Sequence, residues 1–236
     1  MGLRFETRGS DSEWVDTVWT CTSERVTEMT SVATARWGLV FWQRDGQAYA
    51  SVTGPETRTG TAPVPEGAGF VGIDFAVGTS LRALPAAVLV DRGAELPGTT
   101  RRTFRLDGAC WETPGPDDAE ALVDRLVRAE VVIRDPLVTA VRRGHQPEVT
   151  DRTLERRFRA ATGLTQGAVR QIERARRACE LLAAGVPSAG VIGDLDYFDE
   201  PHLARALRRY VGRTAGQLRD GAGGAIALDL DQRVTS

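Results

Sequence analysis

Apolar and polar positions alternate with a period of two through much of the first ~110 residues, the pattern of strands with one or two covered faces. Trp37, Leu39 and Phe41 alternate with Gly38, Val40 and Trp42, predicting a strand buried on both faces. Val71, Ile73 and Phe75 alternate with Gly72 and Asp74, predicting a half-buried one. Arg44-Asp45-Gly46-Gln47 lies between two such runs, and Asp-Gly accepts the positive φ angles of a tight hairpin turn. Turn residues cluster again at Thr53-Gly54-Pro55 and from Thr61 to Gly67. Gly54 to Arg58 reads as a turn leading into the next strand. Short strands at this spacing point to a small barrel or sandwich.

The period then lengthens to that of helices. Asp117 or Asp118 can cap a helix that carries Leu122, Leu126 and Ala129 on one face. A boundary between two domains falls near Arg134-Asp135-Pro136. Thr150 is a fitting N-cap for a helix ending at Thr162, with Gly163 as its stop. Leu154, Phe158 and Ala161 form its inward stripe, and Arg152, Glu155, Arg156 and Arg159 point outward. A longer helix follows, with Val169, Ile172, Cys179 and Leu182 inward and Arg170, Arg174 and Arg177 opposite; Glu173 and Arg177 are spaced for an ion pair. Pro187-Ser188 opens a short helix with Ala189, Ile192 and Leu195 inward, Asp196 and Tyr197 turn the chain, and Asp199 caps a further helix. That helix repeats the inward stripe with Leu203, Leu207 and Tyr210, leaving His202, Arg205, Arg208 and Arg209 outside. The glycine-rich segment after Asp220 reads as a mobile tail.

Charge divides the chain where the period does. Residues 1–133 hold 13 Arg against 19 Asp and Glu, a net of −6, while residues 134–220 hold 16 Arg against 11, a net of +5. A basic helical half beside an acidic β-rich half suggests a nucleic-acid module joined to something else. Cys21, Cys110 and Cys179 are too few and too scattered for a disulfide framework or a zinc set, which suits a reducing cytoplasm. No apolar run reaches the roughly 20 residues of a membrane span, and no signal peptide is visible.

The residues Leu154-x-Arg156-x-Phe158 with Thr162-Gly163, Arg174, Ala175, Ala178 and Leu181-Leu182, then Tyr197-x-Asp199-x-x-His202-Leu203-x-Arg205 with Gly212-x-Thr214, occur in one order and spacing. In these positions residues 135–220 resemble the C-terminal domain of AraC-type bacterial transcription regulators. The resemblance implies an α+β protein of two domains: a β-rich, barrel or sandwich (cupin-like) sensory or dimerisation domain over residues 1–134, with one or two helices, and an all-α tandem helix-turn-helix domain over 135–220. Residues 221–236 remain as the tail. It further implies a seven-helix module whose two recognition helices enter successive major-groove segments of double-stranded DNA. The base-contacting positions would be Arg152, Glu155 and Arg156 in the first unit and Glu200, Pro201, His202 and Arg205 in the second. Arg159, Arg170, Arg174, Arg208 and Arg209 would meet phosphates. Three departures stand out. The segment from Pro136 to Val149 is short and proline-broken for the positioning helices of the first unit, Asp196 occupies the place of a turn glycine, and Gly190 and Gly193 weaken the short helix by roughly 1 kcal/mol each relative to alanine.

For the N-terminal half, the five tryptophans (Trp14, Trp19, Trp37, Trp42 and Trp111) are expected chiefly in the core, with a small-molecule pocket as the other use of such aromatics. Both histidines, His145 and His202, lie outside this half, which excludes a histidine metal site there; no cofactor is implied. No Ser-His-Asp or Cys-His set can be assembled within it, so no enzyme is expected. The reading is a cytoplasmic, sequence-specific transcription regulator. A small-molecule effector, a second copy of the chain and, for an activator, RNA polymerase are its candidate partners. The alternative is a small-molecule sensor whose helical module serves protein interaction.

Overall fold

The computed structural model describes residues 3–25, 28–146 and 148–227. The chain opens with β1 (Leu3–Gly9), β2 (Val15–Ser23), β3 (Glu28–Ser31), β4 (Gly38–Arg44), β5 (Gln47–Thr53), β6 (Gly60–Pro63), β7 (Gly69–Phe75) and β8 (Thr79–Leu81). A one-turn helix α1 (Ala86–Leu89) precedes β9 (Gly93–Glu95), β10 (Thr103–Leu106) and β11 (Ala109–Glu112). Then come α2 (Ala119–Arg128), β12 (Val132–Arg134), α3 (Pro136–Arg142), α4 (Asp151–Thr162), α5 (Gln166–Ala183), α6 (Ser188–Asp194), α7 (Glu200–Tyr210) and α8 (Ala215–Arg219). The N-terminal half is therefore β-rich and the C-terminal half helical, as the change of period indicates.

Six strands form one antiparallel sheet in the order β1-β2-β7-β4-β5-β9, and among the described residues its edges do not meet to close a barrel. Asp45 and Gly46 both take positive φ, 49° and 81°, in the β4–β5 hairpin. One sheet face turns Val18, Leu39, Val52, Ile73 and Phe75 into a core completed by Phe104 of β10 and by Leu122, Val123 and Leu126 of α2. Trp37 stacks on Phe75 there, with ring centroids 3.9 Å apart. On α2 it is Val123, not Ala129, that completes the inward face, because the helix stops at Arg128 and Glu130 turns back with φ 56°. Its entry is a short 3-10 turn at Pro116–Asp118 and carries no side-chain cap bond.

The opposite face of the sheet is not packed on helices. A two-stranded ribbon of β3 and β6 stands over it instead, so Thr61–Pro63, expected as turn, belongs to a strand. The chain after Asp220 is not wholly free either. Thr30 of β3 donates its N–H to the Ala225 carbonyl and accepts from the Ala227 N–H, both at 2.9 Å, fixing this stretch against the ribbon. The remainder of the expected tail lies outside the described residues.

The helical half rests on α5. Val169, Ile172, Cys179 and Leu182 are buried along it as their spacing requires, joined by Ala175 and Ala178. They pack with Leu203, Leu207 and Tyr210 of α7 and Leu218 of α8 in one cluster that also takes in Val32, Ala33 and Ala35 from the β-rich half. A second, smaller cluster joins α3 to α4 through Val138, Phe158 and Ala161. The segment after Pro136 thus does supply one positioning helix. Proline sits at its first position, where no N–H is needed, and Asp135 accepts from the Leu137 and Val138 N–H groups at 2.9 and 3.1 Å. Phe158 is fully buried at this small joint. Phe158→Ala should therefore lower unfolding free energy by about 3–5 kcal/mol in urea titration, with Leu154→Ala costing clearly less because that side chain is only half-buried.

Candidate nucleic-acid interface

Helix α4 begins where the Thr150 side chain accepts from the Thr153 N–H and ends at Gly163 with φ 73°. Glycine is required there twice over, since a Cβ would also stand 2.5 Å from a methyl of Val90 and 2.9 Å from the Ala86 carbonyl oxygen of α1. The first unit thus leans on the β-rich half. Arg152 and Arg156 are exposed on its free side and make no ion pair among the described residues. Glu155 is half-buried, held by Arg159 at 3.2 Å and by the Gln166 N–H at 3.4 Å. Arg157, a residue the sequence reading passed over, pairs with Asp135 at 2.5 Å, and burial of α4 against α3 explains its direction. Among the described residues between Arg142 and Asp151 there is no helix, so this unit is a helix, a long connection and a helix.

The second unit has the compact form. α6 and α7 are joined by Leu195–Asp199, close to the short turn of a helix-turn-helix. Asp196 takes the left-handed conformation with φ 54° in the glycine's stead. On α6 the inward residue is Val191, with Ile192 and Leu195 half-buried, whereas Ala189 is exposed; a helix of seven residues turns only one side chain fully inward here. The Asp199 carboxylate accepts the His202 N–H at 2.7 Å, and Pro201 occupies the first turn. Glu200, Pro201, Arg205, Arg208 and Arg209 are exposed. His202 is half-buried: its ring packs edge-on to Tyr197 at 5.2 Å, and its Nδ1 accepts from the Phe198 N–H at 3.3 Å. Its contacts serve the turn.

Between the units, Arg170 is exposed on α5. Arg174 lies 4.5 Å over the Tyr197 ring, which braces α5 against the turn of the second unit. The expected Glu173–Arg177 pair does not form. Glu173 instead receives both terminal nitrogens of Arg142 from α3 at 2.6 and 2.7 Å, and Arg177 pairs with Glu180 at 3.0 Å. Arg209 lies 5.4 Å over Tyr210. The sequence reading also missed Phe198, which stands 89% exposed beside the start of α7. Its signal is the adjacent pair Tyr197-Phe198, of which a single turn can bury only one.

The far end of α7 is closed by the other half of the molecule. Ala33 donates its N–H to the Tyr210 carbonyl at 2.8 Å, and Thr59 donates to that of Arg209 at 2.9 Å. These carbonyls have no partner within the helix, so the β-rich half supplies their hydrogen bonds.

A basic helical unit with exposed arginines on a capped helix behind a tight turn has the form of a helix-turn-helix. Residues 147–221 match the family described as helix-turn-helix domain, about a third of the chain. That segment is an AraC-type helix-turn-helix domain, a module of DNA binding and transcription regulation. No curated protein and no solved structure matches the chain. Among the described residues no helix is long and apolar enough to cross a membrane.

Burial separates the thiols beneath and beyond this interface. It pushes Cys21 up to about 11 and Cys179 up to about 12, and both are buried, whereas Cys110 is exposed. At about pH 8 a thiol reagent should label Cys110 rapidly and the other two only after denaturation, since the protonated, buried thiol is unreactive. Fast labelling of a second thiol in native protein would contradict this burial.

Proposed function

We propose that the protein is a sequence-specific transcription regulator that lays α4 and α7 into successive major-groove segments on one side of double-stranded DNA. The observation that carries this reading is the pair of exposed arginine faces, Arg152 and Arg156 on α4 and Arg205 and Arg208 on α7, on helices both packed against α5. Arginine donates two parallel hydrogen bonds to guanine, and a groove wide enough for a helix lets it do so. Arg156 and Arg205 choose bases, with Arg152, Glu200 and Pro201 beside them. Arg170, Arg208 and Arg209 take phosphates. Glu155, His202 and Arg174 are tied into the fold and act by positioning their helices. In this reading the protein catalyses no reaction, works in the cytoplasm and needs no cofactor. A small-molecule effector, a second copy and, if it activates, RNA polymerase are its further partners.

A second reading draws on Phe198. An aromatic ring so exposed also suits a protein partner, in which case the helical half is an interaction surface. Selection from random duplexes separates the two, because the second reading yields no enriched sequence.

With a selected duplex, Arg156→Ala and Arg205→Ala should each lose about 1–3 kcal/mol of discrimination at particular base pairs. Arg170→Ala and Arg208→Ala should weaken every sequence alike and reduce the slope of log affinity against log salt by about one. Retention of full discrimination in both base-reading variants would refute the assignment.

A further inference from the structure

The face of the six-stranded sheet beneath the β3–β6 ribbon carries a cavity of about 670 Å³. That volume is within the ~300–1,000 Å³ typical of small-molecule sites. Its aromatic wall is Trp19 and Trp42, backed by Phe5 and Phe70. Gly72 makes the wall possible: a Cβ there would fall 1.9 Å from the Trp19 ring, so only glycine lets the indole lie flat on β7.

Besides Arg44, which pairs with Asp45 at 3.2 Å, three ionisable side chains line the cavity: Glu56, Asp74 and, from the helical half, Arg176. Two of them are matched. Asp74 accepts from the Trp19 Nε1–H at 3.3 Å and lies in the field of Arg36 and Arg176, while Arg36 itself pairs with Asp16 at 2.9 Å. Arg176 donates to the Ala33 carbonyl at 3.2 Å. Glu56 differs. Ser31 hydrogen-bonds its carboxyl and Arg176 acts on it through space, yet it has no ion pair among the described residues and its Oε2 is buried without a hydrogen-bond partner. Its backbone cannot carry it away, because Glu56 and Thr34 exchange both N–H···O bonds, at 2.8 and 3.0 Å. Burial pushes its carboxyl up, outweighing the Ser31 hydrogen bond and the Arg176 charge that pull it down. Buried polar atoms in native proteins are rarely left so, and a missing partner is commonly supplied from outside the chain.

We propose that this cavity is a ligand site for a planar aromatic amine, its rings against Trp19 and Trp42 and its ammonium on Glu56. Occupancy is transmitted to the helical half through Arg176 of α5, which donates to the Ala33 carbonyl, and through Val32, Ala33 and Ala35, which share a packed cluster with α5 and α7. The transmission rests on the reading of α4 and α7 as DNA-contacting helices; the binding does not.

Pyrenemethylamine and pyrenecarboxylate share a ring system and differ in charge, so they make the test with the full chain. Tryptophan quenching should show saturable binding of the amine, about tenfold tighter than the carboxylate, as a charged hydrogen bond in a sheltered site allows. Glu56→Gln should abolish that preference with circular dichroism and melting temperature unchanged, and Trp42→Ala should weaken both probes. Absence of saturable binding, equal affinities, or a preference that survives Glu56→Gln overturns the site. On a selected duplex the amine should shift the wild-type protein's DNA affinity by about fivefold or more, and that of Glu56→Gln not at all. Equal shifts in both, or none in either, overturn the transmission. If no duplex is selected, the DNA reading itself has failed while the probe titrations still decide the site.

Discussion

One packed seam governs the molecule: the contact of α5 with the Val32–Ala35 strand connection. Ala33 is fully buried in it, offers its N–H to the end of α7 and its carbonyl to Arg176. Small side chains at Ala33, Ala35, Ala175 and Ala178 let the backbones approach, and the polar groups thereby buried find partners across the seam. The charge division of the chain is thus bridged by a shared core. The two halves are distinct in composition and period, yet neither completes its own hydrogen bonding.

This seam explains why α5 does more than connect. Along one side it carries the second unit, through α7 and the Arg174–Tyr197 contact. Near its start it holds α3 and α4, through Glu173–Arg142 and the Gln166 N–H on Glu155. From a third side Arg176 reaches the sheet. A displacement of α5 of even a side chain's width is therefore felt at both α4 and α7, since packed interfaces shift between discrete arrangements rather than deforming smoothly.

Much of the local structure was legible because local chemistry sets it. Thr150, Asp199 and Gly163 act as caps by virtue of their own side chains or their lack of one, and Asp45-Gly46 turns wherever it stands. The inward residues of α5 follow from its length, five turns being enough to display a stripe. What escaped was set by distant partners. The β3–β6 ribbon joins two four-residue strands of mostly polar and small residues that show no alternation. Arg176 sits on the polar side of α5 by periodicity, but the β-rich half covers it. Of the tryptophans, Trp37 joins the core, whereas Trp19 and Trp42 line the cavity, and no spacing distinguishes the two uses. His202 and Arg174 lie at motif positions, yet Tyr197 engages both.

The closing of α7 by Ala33 and Thr59 has an evolutionary corollary. Two-part regulators are often pictured as interchangeable cassettes, any sensor being spliced to any reader. Here the last turn of α7 is finished by donors that the β-rich half provides. A graft of this helical half onto a foreign partner would inherit an unfinished helix unless the newcomer brought matching N–H groups, so the two parts are bound to diverge together.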